Sequence, residues 1–218
     1  MKLYSYFRSS ASYRVRIALN LKGLDYEQIA IHLVKNGGEQ LSDAYKALNP
    51  EALVPALVDQ YEGESLLLTQ SMAIIEYLDA IYPSTPLLPA NEALRAEVRA
   101  FALSITCEIH PLNNLRVLKY LTHTLGVTEE QKNAWYRHWC ETGLATLEQK
   151  VLMHEHAGQY CFGDTPGFAD CFLVPQIANA QRFNCDLSTI PTLMQINQRC
   201  LQHPAFIRAL PANQADAE

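Results

Sequence analysis

Arg8, Ser9, Ser10 and Ser12 crowd together just ahead of Tyr13, Ile17 and Leu21, which recur four residues apart. Apolar residues at that spacing line one face of a helix, so the hydroxyls stand where the helix opens. A helix start carries backbone N–H groups with no partner inside the helix, and the positive end of its dipole. With hydroxyl donors and an arginine added, the volume suits an anion. Capping alone, typically worth about 1 kcal/mol, accounts for one serine but not for three. The nearest chemical fit is a thiolate. A thiol with a pKa of about 8.5 is only a few per cent ionised at neutral pH. Donated hydrogen bonds and a helix N-terminus both favour its charged form. No cysteine precedes Cys107, so the sulfur has to arrive on a ligand.

A second polar pair, Gln70-Ser71, follows an apolar run at 66–68 and opens a helix carrying Ile74, Ile75, Leu78 and Ile81. Ser71 reads as its N-cap, with Gln70 turned toward the same cavity. A plain cap and a bound carboxylate suit that terminus equally. Val54-Pro55 stands directly before a predicted strand. Proline is uncomfortable inside a central strand, and a cis bond would leave the flanking N–H and C=O open to an extended ligand. X-Pro bonds are trans roughly nineteen times in twenty, so the local residues alone favour trans.

The elements that position these residues fall into two groups. Up to residue 81 strands and helices alternate: strand 3–6, helix 12–22, strand 26–31, a short helix 40–48, strands 56–58 and 65–68, and helix 71–81. That order implies a small mixed sheet flanked by helices. Pro83, Pro86 and Pro89 punctuate a linker over 82–89. From residue 90 to 218 the helical period dominates. Leu94, Val98, Phe101, Ile105 and Ile109 mark one long helix, bent at Pro111. Trp135 to Val151, Phe168 to Phe183 and Leu193 to Leu201 mark others.

A chain of 218 residues, 49% hydrophobic, buries a sizeable core in one large or two small domains. Its net charge of −6, without a basic block, argues against nucleic acid as a partner. No apolar run reaches the length of a membrane span, and no continuous apolar segment marks a signal peptide, so a cytoplasmic location is expected. The six cysteines are scattered beyond residue 100 without a Cys-x-x-Cys pair, and read as reduced packing groups. His154-x-His156 near Cys161 lacks a convincing fourth ligand, so no metal is expected.

Ser9-Ser10-Ala11-Ser12-Tyr13-Arg14-Val15-Arg16-Ile17-Ala18-Leu19, with Leu53-Val54-Pro55 and the run from Gln70 to Leu78, resembles the zeta-class glutathione transferases. The likeness extends over nearly the whole chain. It implies a thioredoxin-like α/β first domain, an all-α second domain, a homodimer and glutathione as cofactor. By position, it implies that Ser9 hydrogen-bonds the glutathione sulfur with Ser10 and the Ala11 amide nearby. Val54, before a cis Pro55, pairs with the peptide backbone. Gln70 and Ser71 hold the γ-glutamyl end, and Gln40 approaches the glycyl end. His110 and Asn114 stand at positions that face the ligand in relatives, although His110 suits a core imidazole as well. The implied activity is glutathione-dependent cis–trans isomerisation of a diketo dicarboxylate. Conjugation or dehalogenation of small α-halo acids, and a non-catalytic binding role, are the alternatives. Arg8, Arg116 and Arg182 are the candidate clamps for carboxylates and an enolate, each equally suited to a surface ion pair. Tyr4 and Tyr6 are the rivals of Ser9 for the sulfur. The chain departs from the family at Ala11, usually cysteine, at Tyr13, often tryptophan, and at Gly167, usually a hydroxyl cap. Some relatives carry Gln and Ser in place of His110 and Arg116, which leaves the substrate's length open.

Overall fold

The structure, a computed structural model, describes residues 1–154 and 158–218. They divide into two compact units, Met1–Leu87 with Gln202–Glu218, and Leu88–Leu201.

The first unit runs β1 (Lys2–Ser5), α1 (Ser10–Leu21), β2 (Glu27–Ala30), α2 (Asp43–Leu48), β3 (Ala56–Tyr61), β4 (Glu64–Thr69) and α3 (Ser71–Ile81). The four strands lie in the order β2-β1-β3-β4. β1 and β2 are parallel, a pairing that needs a crossover, and α1 supplies it. β3 and β4 are antiparallel to their neighbours and turn at Glu62-Gly63, both with positive φ, the geometry that matches strand twist. This is the expected thioredoxin-like α/β unit. Leu3 faces Leu57 across the β1–β3 ladder, and both are fully buried with Ile17, Ile74, Ile75 and Leu78. The 74/78 spacing puts one stripe of α3 against the sheet.

Two buried arginines distinguish α1 from an ordinary amphipathic helix. Arg16 is fully buried and donates from Nη1 to Ser5 Oγ at 3.1 Å and from Nη2 to the Phe7 carbonyl at 3.0 Å. Its Nε donates to the Ala209 carbonyl at 3.2 Å. Burial pushes its pKa down to about 10, because a desolvated cation is disfavoured. The carbonyl of Ala209 comes from α9 (Pro204–Ala209), an element that the hydrophobic period did not reveal. Asn20 also donates to Ala205, and Asp216 accepts the Phe7 N–H at 3.0 Å. The expected division at 90–218 is therefore corrected at its far end, since residues beyond Leu201 pack on α1 to satisfy its polar groups.

The second unit is helical. α4 (Glu92–Leu103) continues into a π-helical turn (Ser104–Ile109), followed by α5 (Leu115–His123), α6 (Glu129–Met153), α7 (Phe168–Arg182) and α8 (Pro191–Cys200). The expected bend at Pro111 is instead a stop. The turn widens, with the His110 N–H donated to Ile105, and the chain reverses into α5. The central α7 buries Phe168, Phe172, Leu173 and Ile177. Gly167 caps it without a side chain, and Asp170 accepts the Gly167 N–H at 2.8 Å and the Cys161 N–H at 3.0 Å. His154 pairs with Glu97, and His156 lies outside the described residues. Among the described residues no helix is long and apolar enough to cross a membrane.

Arg16→Ala removes a buried cation whose partners cannot reach water, so it should destabilise the protein by about 3 kcal/mol. Arg8→Ala, at an exposed position, should stay within about 0.5 kcal/mol. Urea unfolding of the two variants checks this, and equal midpoints would refute the bracing role.

Candidate active site

Sheet register carries three predicted site segments to one end of the first unit. Tyr4 pairs with Ala56, and Ala56 with Thr69. There the chain leaves β1 toward Ser9, enters β3 through Val54-Pro55, and leaves β4 through Gln70 and Ser71.

Ser9 caps α1. Its backbone is extended, at φ −70 and ψ 115, and its Oγ accepts the Ser12 N–H at 3.2 Å. A serine hydroxyl offers one proton and two acceptor sites. The cap occupies an acceptor site only, so the proton remains to be donated outward. Ser9 is half-buried and Ser10 buried. The Ala11 N–H has no partner among the described residues. Ser12 departs from the expected cluster: it is fully buried, and contributes its N–H rather than its hydroxyl.

Ser71 is not the N-cap of α3. Gln70 holds that position with φ 66 and ψ 114, and Ser71 is the first helical residue. The left-handed backbone of Gln70 turns the chain into the helix without a side-chain cap. Gln70 is exposed and donates from Nε2 to Glu51 at 3.2 Å. Ser71 is buried, and its Oγ accepts from Arg14 Nη1 at 3.2 Å. Arg14 thus ties the start of α3 to α1. It is fully enclosed, and burial lowers its pKa to about 9. Sequence reasoning gave it no role, because an arginine within a helical signature looks the same whether it faces solvent or core.

The Val54-Pro55 bond is cis, as the resemblance implied and against what the local residues favour. Leu53 is pinned from α2, its carbonyl accepting the Tyr45 hydroxyl at 2.7 Å and the Asn49 side chain at 2.9 Å. Val54 itself makes no backbone hydrogen bond among the described residues. Gln40 lies in a 3₁₀ turn, Glu39–Leu41, rather than in the expected helix from 40. It is buried, and its Oε1 lacks a partner among the described residues. A cavity of about 750 Å³ between Tyr4, Ile31, Tyr45 and Leu48 flanks this turn; Tyr4, one rival for the sulfur, lines it, whereas Ser9, Gln40, Val54 and Gln70 do not.

Arg8 is exposed, its guanidinium 4.8 Å from the Phe7 ring centroid. Tyr6 is buried in a ring cluster, 4.8 Å from both Phe7 and His32, which makes it a packing group. The remaining candidates belong to the second unit. His110 is half-buried behind the π turn. Asn114 caps α5, its Oδ1 accepting the Arg116 N–H at 3.1 Å. Arg116 is exposed, and exposed Arg182 ends α7 at 5.0 Å from the Phe183 ring. These placements fit helix-end duties as well as ligand contact.

The glutathione S-transferase N-terminal domain model matches residues 1–80. A probable maleylacetoacetate isomerase from Vibrio cholerae is 54% identical over 99% of this chain and 97% of its own length. A holo maleylpyruvate isomerase structure, described as a bacterial zeta-class glutathione S-transferase, superposes with a TM-score of 0.94 at 48% identity, covering all of both chains. A maleylacetoacetate isomerase from Methylobacterium extorquens, solved with malonate and GSH (glutathione), gives 0.93 at 36% identity over the same full extent. The chain belongs to the glutathione transferase family, in its zeta class.

Gly38 is a residue that sequence reasoning passed over, although Gly37-Gly38 stands out in a polar stretch. Its φ is +116, and an added Cβ would meet the Gln40 amide at 2.6 Å. Gly38→Ala should therefore cost about 1–3 kcal/mol, read as a lowered melting temperature. Cutting Gln40 back to serine in that variant should recover the steric part. An unchanged melting point for Gly38→Ala would show that Gln40 is not held against this glycine.

Proposed function

We propose that this chain catalyses the glutathione-dependent isomerisation of maleylacetoacetate to fumarylacetoacetate. The observation that carries the reading is the Ser9 cap: its oxygen is fixed by the Ser12 N–H, and its proton remains to be donated. Bound glutathione supplies a thiolate that adds to the cis double bond, permits rotation about the resulting single bond, and departs to leave the trans isomer.

The residues present fit that cofactor. Ser9 donates its hydroxyl proton to the sulfur, and the Ala11 N–H adds a second dipole of the same sign. Together they hold the sulfur as an anion. Val54 pairs its open backbone with the peptide, as an added strand would. Gln40 is assigned to the glycyl end on family position; its buried, unsatisfied oxygen can accept only the glycyl amide N–H, since the terminal carboxylate offers no donor. Gln70 and Ser71 receive the γ-glutamyl carboxylate at the start of α3. Ser10 lines the same helix opening. Arg8 is the candidate clamp of the first unit for a substrate carboxylate or the developing enolate, and Arg116 and Arg182 those of the second. His110 and Asn114 are assigned to the ligand on family position. Family likeness also supports a homodimer, and a cytoplasmic setting belongs to the same proposal.

Maleylpyruvate is the second reading, favoured by the full-length match to a maleylpyruvate isomerase and by His110 and Arg116. Side-by-side assays decide: kcat/KM for maleylacetoacetate at least about tenfold higher supports the first reading, and the reverse order supports the second. Ser9→Ala should lower kcat on the order of a hundredfold, while Tyr6→Phe leaves it unchanged. Equal rates for Ser9→Ala and wild type would remove Ser9 from the chemistry.

A further inference from the structure

All six cysteines are free thiols, and contacts between α6 and the end of α7 bracket two of them, Cys140 and Cys185. Cys140 lies on α6, one helical turn beyond Tyr136. Cys185 closes the C-terminus of α7. Its N–H returns to the Ala180 carbonyl at 3.0 Å, and that of Asn184, at φ 53, to Gln181 at 3.1 Å. This paired closure is a Schellman motif, so the backbone at Cys185 is fixed.

Contacts on both sides hold the two segments together. The Tyr136 ring stacks on Phe183 with centroids 3.6 Å apart. One residue past the pair, Glu141 accepts the Asp186 N–H at 2.8 Å. Between these two clamps Cys140 and Cys185 interact, and the pairing raises the pKa of buried Cys140 and lowers that of half-buried Cys185. Glu141 opposes and Arg137 assists the thiolate of Cys185. Gln176 Nε2 donates to Cys140 Sγ at 3.3 Å, a contact that steadies negative charge on that sulfur. The other thiols differ. Burial, and then the Asp170 carboxylate, push Cys161 and Cys200 up, and Cys107 is exposed with no thiol opposite it among the described residues.

We propose that Cys140 and Cys185 form a dithiol–disulfide pair that hydrogen peroxide oxidises and external thiols restore. Cys185, as thiolate, attacks the peroxide; an S–O bond forms, the O–O bond breaks, and the expelled hydroxide takes up a proton as water. Cys140 then attacks the sulfenic sulfur. The S–S bond forms, the S–O bond breaks, and the leaving hydroxide carries off the Cys140 proton as a second water. Two thiols are oxidised and one peroxide is reduced to two waters. The cross-link would tie α6 to the end of α7, three residues from Arg182.

The test treats the reduced full-length protein with graded hydrogen peroxide, alkylates what remains, and maps the cysteines by mass spectrometry. The expected result is a loss of about 2 Da with one Cys140–Cys185 cross-linked peptide, reversed by dithiothreitol. Sulfinic Cys185 without a cross-link, a disulfide through Cys107, or both thiols still alkylated would each overturn the proposal. Cys140→Ala, its fold checked by circular dichroism, should instead accumulate a dimedone adduct on Cys185. Failure to do so would overturn the role of Cys185 as the attacking sulfur.

Discussion

Everything at the site depends on how the opening of α1 is held. A capping serine is ordinary, but its hydroxyl can polarise a ligand only if the loop before it does not move. Arg16 supplies that constraint by filling the Ser5 hydroxyl and the Phe7 carbonyl with donors from a single rigid fork. Arg14 extends the same logic to Ser71 at the start of α3. Both cations are desolvated, with pKa values of about 10 and about 9. Because the folded values lie below the usual 12.5, stability from this source would rise only as pH climbs from about 9 toward 12.5. At neutral pH the full desolvation cost is present, and it is the hydrogen bonds to fixed acceptors that offset it. The proposed chemistry therefore rests on buried charge two turns away from the reacting atom.

Much of this architecture was legible. Short apolar and aromatic runs located all four strands, and helical spacing located α1, α3 and the long helices beyond residue 90. Those signals come from burial of one face, which sequence records directly. The cap at Ser9 was legible for the same kind of reason, since hydroxyls before an apolar period have few other uses. The site motifs at Val54-Pro55 and Gln70-Ser71 were located, although the cis bond came from family likeness and not from local residues.

What escaped was decided by partners far away in sequence. Arg14 and Arg16 look like solvent-facing charges until Ser71 and Ala209 are known to lie against them. Ser12 belongs to the hydroxyl cluster in sequence yet points into the core, because the helix starts two residues earlier than its apolar pattern shows. Gln70 takes a left-handed backbone, which no rule for glutamine anticipates. α9 is six residues long and gains its stability from docking on α1, so its own sequence carries little signal.

Whether the opening of α1 holds the sulfur as an anion is read from the thiolate absorbance of bound glutathione as a function of pH. Wild-type protein should titrate the bound sulfur well below the free-thiol value of about 8.5, and Ser9→Ala should return the midpoint toward that value. A bound sulfur that ionises no more readily than in water, with Ser9 intact, would show that the opening of α1 does not stabilise the thiolate.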